Sequence, residues 1–392
     1  MKPNNTTNIH SNKSTSDVSD AILSGQTNAS ILLTIDVEDW FQVENFKQYI
    51  PFSSWAEREL RVEKNTHSLL DLFDSLTVNR SDPRSAISDQ GNTGVNRDHG
   101  QQTIDNRPHP KVCATFFVLG WLAERLPHLV REIHARGHEV ASHGYNHHLC
   151  NQQSHKDLRN DLVSSKKLLE DIIGAEVYGY RAPSFSINDE ILKIIQESGY
   201  LYDSSYNSFG LHGRYGKINI DSNAKNGIAY KIPLPTSGEA ALYKIVKRFY
   251  FYEVPISNLQ FTIHHSPFNI VFPWGGGGYF RLIPYFLFKR GVESILKKDG
   301  AYVFYMHPWE IDPEQPRVHQ ASPFFKFRHY TNLGGSQLKL SRLIQGLANC
   351  YFTTCSQYLN LDKRYCLKRS DPQGRNPVLT PDAAVGHVSE WR

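Results

Sequence analysis

Nowhere in its 392 residues does the sequence hold the roughly 18 consecutive apolar residues that a membrane-crossing helix needs. Its opening stretch, MKPNNTTNIHSNKSTSDVSDAILSGQTNAS, also lacks the apolar segment of a signal peptide. Cysteine is sparse: Cys113, Cys150, Cys350, Cys355 and Cys366 are odd in number and show no short paired spacing. That argues against a disulfide framework and a cysteine-built zinc site, and fits reduced thiols in a cytoplasmic protein. There is no Lys/Arg block, and a net charge of +4 with pI near 8.6 is mild, so a nucleic-acid-binding stripe is not expected.

What is present is ordinary globular material, 40% hydrophobic and 12% aromatic, enough for one large α/β domain with appendages or for two domains. Three segments are too polar to repay ordering. They are an N-terminal tail (1–29), an insertion (77–111) and a C-terminal tail (363–392), all expected to be disordered around a domain spanning 30–362. Inside that domain, apolar strand-like runs alternate with helical patterns. ILLTID, CATFFVLG, EVASHG, VYGYRAP, YLYDSS and AYVFYMHPWEI read as strands. WLAERLPHLVREIHARG, HKDLRNDLVSSKKLLEDIIG and NDEILKIIQESG read as helices, as does FRLIPYFLFKRGVESILKKDG with Pro284 in its first turn. Repeated units of this length predict a parallel sheet closed into a distorted (β/α) barrel of about seven strands.

Polar residues sit where the apolar runs stop: Asp36, His143, Arg181, Asp203 and His307. In a barrel, such strand ends converge on one site. Two carboxylates, two imidazoles and a guanidinium in one pocket are the inventory of a metal-assisted hydrolase. His143 and His147 lie four apart, so a helical turn after the strand would bring both rings to one side. Neutral imidazoles at that spacing suit a divalent metal, although HxxxH alone is a weak signal in a chain with 18 histidines. Asp36, Glu38 and Asp39 crowd three carboxylates onto a buried strand end, which is costly unless a cation or a catalytic task holds them.

TIDVEDW, ATFFVLG, SHGYNH, YRAPSFS and VFYMHPWEID occur in that order. Across residues 30 to 360, outside the insertion, they resemble the five signature regions of NodB-homology polysaccharide deacetylases, carbohydrate esterase family 4. DVEDWF, GGGYFRLIPY and MHPWE are similar to the branch found in exopolysaccharide loci beside exosortase systems. The resemblance implies one divalent ion, usually zinc, held by two histidines and a carboxylate. By position His143 and His147 would be ligands, Asp36 the general base, Arg181 its brace and His307 the general acid. The family's opening motif has a second, metal-binding aspartate next to the first. Val37 stands there instead. Strand alternation puts Asp36 and Glu38 on one side, which makes Glu38 the first choice for third ligand and Asp39 the second.

Further expectations concern substrate. Pro183 would shape the groove wall, and the backbone N–H of Tyr145 would face an oxyanion. Asp203 would orient His307 or hold the local turn. Trp274, Tyr279 and Arg281, flanking four consecutive glycines, would ride a flexible loop over the barrel mouth and meet a sugar chain. The resemblance implies hydrolysis of N-acetyl groups from an acetylated polysaccharide or its lipid-linked precursor, releasing acetate. Peripheral contact with the inner face of the membrane would reconcile that substrate with a cytoplasmic chain. Alternatives are an allantoinase-like hydrolase of small amides, an inactive carbohydrate-binding protein and, less compatible with His307, a non-haem iron oxygenase.

Overall fold

The structure is a computed structural model and describes residues 29–76, 111–209, 215–219, 225–233, 250–262 and 269–361. The expected tails and insertion lie, but for Ala29 and Lys111, outside the described residues. Strands β1 (Ser30–Val37), β2 (Ala114–Val118), β3 (Glu139–Ser142), β4 (Gly179–Tyr180) and β5 (Tyr202–Asp203) run parallel in that order. β6 (Lys225–Asn226) and β7 (Ala229–Pro233) form a hairpin on β8 (Tyr250–Glu253), which pairs in parallel with β5. β9 (Leu259–Thr262) and β10 (Asn269–Phe272) make a separate ribbon, and β11 (Ala301–Met306) pairs in parallel with β1. Along the main path the parallel strands are β11, β1, β2, β3, β4, β5 and β8, the seven expected, and a short strand at Tyr351–Phe352 adds to β1 in parallel off that path.

β8 and β11 are joined by irregular backbone, which is the distortion of the barrel. Tyr305 N–H donates to Gly275 O at 2.7 Å and Ser257 N–H to Val303 O at 3.3 Å. A Cβ on Gly275 would stand 2.7 Å from the carbonyl oxygens of Ser257 and Val303, so only glycine lets these segments approach. The glycine run is thus built into the wall of the barrel.

Helices pack outside: α1 (Val62–Ser75), α2 (Gly120–Arg125), α3 (Pro127–Ala135), α4 (His155–Ile173) and α5 (Asp189–Glu197). Ser154 Oγ accepts from Asp157 N–H to start α4, and Gly174 ends it in the left-handed region at φ 66°. Asn188, rather than Asp189, caps α5 through Ile191 N–H. The long helix expected from Phe280 breaks into α6 (Gly277–Leu282) and α7 (Tyr285–Asp299), because Pro284 is extended and precedes the second helix. α8 (Pro323–Tyr330), α9 (Leu333–Gly346), β12 (Tyr351–Phe352), which also pairs with β1, and α10 (Cys355–Tyr358) complete the described chain.

Strand alternation divides the two cores. Ile31, Leu33, Ile35 and Val37 of β1 join the large layer under the helices, whereas Leu32 belongs to the smaller cluster with Phe117, Tyr202 and Val303. Thr34 and Asp36 continue the Leu32 face toward the mouth, where Arg181 meets both. Val37 therefore serves the core and leaves the carboxylates to its neighbours.

Candidate metal and proton-transfer site

Glu38, just beyond β1, presents Oε1 to three imidazoles. His143 Nε2 lies at 3.0 Å, His147 Nε2 at 3.1 Å and His307 Nε2 at 3.7 Å. Glu38, His143 and His147 are buried, and their donor atoms form the metal-sized group among the described residues. His143 Nδ1 is 2.8 Å from the Arg181 carbonyl. A carbonyl can only accept, so Nδ1 carries the proton and the Nε2 lone pair faces a carboxylate oxygen. Two acceptors 3 Å apart call for a cation between them or a proton on the ring. Burial by itself would raise the Glu38 carboxyl; His147, His307 and His143 outweigh it and hold it well below the usual carboxylate range.

The two expected ligand histidines do not meet through a helical turn. Residues 143–149 are loop, with left-handed backbone at Gly144 (φ 75°) and His147 (φ 56°). A non-glycine residue held there is strained, and strain of this kind collects at functional sites. Asp39 points elsewhere. Its carboxylate accepts the N–H groups of Trp40, Arg61 and Val62, which ties the chain entering α1 and takes Asp39 out of the metal group.

Asp36 is held beside that group. Arg181 Nη1 donates to Asp36 Oδ1 and to Thr34 Oγ1, both at 2.7 Å. Its Nε and Nη2 go to Ser204 O and Oγ, both at 2.8 Å, and the guanidinium lies 4.1 Å over the Phe117 ring. Ser204 and Ser205 are braced in turn. Ser205 donates to Asp203 Oδ1 at 2.8 Å and accepts from Ala182 N–H. Asp203 therefore holds this turn; His307 is oriented by a different residue.

That residue is Glu310. His307 donates Nδ1–H to Glu310 Oε1 at 2.9 Å, and Arg281 Nε donates to Glu310 Oε2 at 2.8 Å. Burial opposes a charge on His307, but Glu38 and Glu310 outweigh it and push the ring up to about 9. A Cβ on Gly277 would stand 2.3 Å from Glu310 Oε1, so glycine is needed for α6 to pass so near. Arg281 is itself buried, and its remaining donors go to the carbonyls of Arg328, His329 and Thr331. It supports Glu310 instead of reaching for a sugar. The i, i+3 spacing of His307 and Glu310 was the available signal for this pair.

The other expected substrate contacts separate. Tyr279 lines the central cavity of about 130 Å³ with Asp36, Glu38, His143, His147 and His307. Pro183 does not line it; it opens a turn in which Ser184 (φ 51°) and Phe185 (φ 57°) do. Trp274 is a packing residue, stacked on Phe288 and donating Nε1–H to the Phe288 carbonyl. Tyr145 N–H is spent on Asp161 Oδ1 at 3.0 Å and is not free for an oxyanion. Cys150 and Cys355 are buried free thiols.

Asp203 and Glu253 are register partners at the ends of β5 and β8, both fully enclosed. Glu253 Oε1 accepts from Tyr206 N–H, while Oε2 has no donor among the described residues. Burial, then the charge of Asp203, raises Glu253 well above the usual range, and burial raises Asp203 as well. One proton shared by the pair accounts for the donorless oxygen. A raised folded value means the stabilisation is complete below the ordinary glutamate range, about 4.3, and is lost as pH rises through the folded value of Glu253. The expected result is a urea midpoint that falls with pH more steeply in the parent than in Glu253→Gln, whose amide mimics the protonated form. Parallel curves would remove the shared proton from this account.

Residues 108–202 match the polysaccharide deacetylase family, and residues 204–360 match a domain of unknown function, DUF3473. The site draws on both and on β1: His143, His147 and Arg181 fall in the first segment, His307 and Glu310 in the second, Asp36 and Glu38 before either. A peptidoglycan-N-acetylglucosamine deacetylase of Bacillus cereus is 35% identical over 99 residues, covering 25% of this chain and 46% of that protein. The chain thus spans less than half the length of that relative. Among solved structures, PuuE allantoinase is 12% identical with TM-score 0.47, covering 88% of this chain and 92% of that one. A family 4 carbohydrate esterase from Streptomyces lividans is 11% identical with TM-score 0.39, covering 82% and 91%.

Proposed function

We propose that this chain is a NodB-homology polysaccharide deacetylase and that it removes N-acetyl groups from acetamido sugars by metal-assisted hydrolysis. The observation that carries the reading is the juxtaposition of Glu38, His143 and His147 with an arginine-held Asp36 and a glutamate-held His307. The nitrogen and carboxylate donors fit a divalent ion, zinc first, and the opposed lone pairs of His143 and Glu38 support that fit. Such an ion would polarise the amide carbonyl and acidify the attacking water.

The chain's own groups supply the proton transfers. Asp36, aimed by Arg181, takes the proton of the attacking water. His307 presents Nε2 to the cavity side while Nδ1 is tied to Glu310, so it can protonate the departing amine. An amine leaves poorly unless protonated, so this acid is required. Phe185, Tyr215 and Tyr305 give the same cavity an aromatic wall suited to a sugar and its acetyl methyl.

The finer reading is a bacterial exopolysaccharide or its lipid-linked precursor, handled at the cytoplasmic face of the membrane. Exposed Phe286, Phe324 and Phe327, on helices that also carry Lys289, Arg290, Lys326 and Arg328, support it as a surface for anionic headgroups. The test is acetate release from an N-acetylglucosamine oligomer by zinc-loaded protein and its Asp36→Asn variant, with bound metal assayed in both. The variant should keep its metal and lose about 10²–10⁴-fold in rate. A metal-loaded parent without acetate release from any acetamido sugar would exclude the function. Failure to sediment with anionic vesicles would exclude only the membrane arm.

A further inference from the structure

The loop that carries His147 is gripped by two helices that contribute nothing to the metal group itself. Gly120 N–H and Trp121 N–H, at the start of α2, donate to the carbonyls of Gly144 and Tyr145, both at 2.9 Å. Asp161 of α4 accepts from Tyr145 N–H at 3.0 Å through Oδ1, and the Asn146 N–H also holds its carboxylate. The Gly144 carbonyl and the Tyr145 N–H are the two ends of one peptide group, and the Tyr145 carbonyl and Asn146 N–H those of the next. Two consecutive peptide groups, just ahead of His147, are therefore held at both ends.

Glycine makes both grips possible. Gly144 sits at φ 75°, and a Cβ there would stand 2.9 Å from Asp161 Oδ1. A Cβ on Gly120 would stand 2.7 Å from the Tyr145 ring. One turn along α4 from Asp161, Ser165 Oγ accepts from Ser142 Oγ at 3.0 Å, and Ser142 Oγ accepts from Gly144 N–H at 3.2 Å. One face of α4 thus holds the N–H groups of residues 144 to 146, the first of them through Ser142.

The grip matters because the next residue is strained. His147 is left-handed at φ 56°, a conformation that costs a non-glycine residue about 1–3 kcal/mol. A loosened loop would relax it and draw the ring away from Glu38 Oε1, now 3.1 Å off. His143 is oriented through its own ring, by Nδ1–H on the Arg181 carbonyl.

We propose that Asp161 is the positioning residue for His147: by holding two loop N–H groups it keeps this donor at the metal group independently of the ion. The proposal rests on the metal-assisted reading and deepens it, because it assigns the pre-organisation of one ligand to α4. Without the clamp, the ion itself would have to order the loop, at a cost in affinity.

The test is the zinc dissociation constant of the full chain, read by competition with a chelating dye, beside the urea midpoint of each variant. Asp161→Ala and Asp161→Ser remove the acceptor that spans both N–H groups and should weaken zinc about 10–100-fold. Two truncations guard against one that misfolds. Asp161→Asn keeps a carbonyl oxygen for the same N–H groups and should stay within about threefold of the parent. Leu169→Ala, buried two turns farther along α4, should lower the urea midpoint yet leave zinc affinity within about twofold. Parent-like zinc affinity in the folded truncations overturns the proposal and leaves the metal-assisted reading intact. An equal loss in Asp161→Asn would assign the effect to charge, and an equal loss in Leu169→Ala to stability; either overturns it too. A parent that binds no zinc removes the metal-assisted reading along with the proposal.

Discussion

Arg181→Leu should lower stability by about 3–5 kcal/mol and abolish acetate release together, because it strands a buried charge. The guanidinium is fully enclosed and serves Asp36, Thr34 and two oxygens of Ser204. Without it Asp36 is an unpaired carboxylate, and the Ser204 carbonyl loses a partner that no water replaces. Urea denaturation of parent and variant measures the first effect. Arg181→Lys separates charge from geometry. It keeps a cation near Asp36 but cannot reach Ser204 with a second arm, so it should recover part of the stability and little of the rate. A loss under about 1 kcal/mol in Arg181→Leu would mean that the pair is not structural in the sense argued.

Glu310→Gln should reduce kcat by about 10²–10³-fold while leaving KM within about threefold, since both Glu310 oxygens are engaged by His307, the proposed general acid, and by Arg281. The two oxygens of Glu310 each have a fixed donor, His307 Nδ1–H on one side and Arg281 Nε–H on the other. An amide can satisfy one of them only by turning its NH₂ group on the other. Facing His307, that NH₂ would require the opposite tautomer; facing Arg281, it would oppose donor to donor. The carboxylate charge that favours the protonated ring is lost in either case. A proportional rise in KM would instead mean that Glu310 acts on the shape of the cavity. The neighbouring Arg281→Met should show the same kcat pattern more weakly, because it removes only the support of Glu310.

These two residues show where reading the chain reaches its limit. Asp36, His143, Arg181 and His307 stand out because each ends an apolar run, and parallel strands deliver their C-terminal ends to one face. Period-2 alternation along β1 also indicates that Asp36 and Glu38 share a side while Val37 faces the helices. Ser154 and Gly174 mark the ends of α4 by local chemistry alone.

What lay beyond the sequence depends on contacts between distant segments. Whether an acidic side chain binds a metal or caps backbone turns on which amides surround it, and Asp39 finds three of them, two contributed from the start of α1. Arg281 looks like a free cation on a glycine-rich loop until α8 supplies two of the carbonyls that enclose it. The glycines look flexible until β11 and Glu310 are seen against them. His147 reaches Glu38 through a loop with left-handed backbone that leaves the end of β3. Residue type and spacing therefore determined which chemistry this chain carries. The closing of the barrel decided which partner each polar group has, because burial leaves a charge or an N–H only the few neighbours that the fold brings within 3 Å.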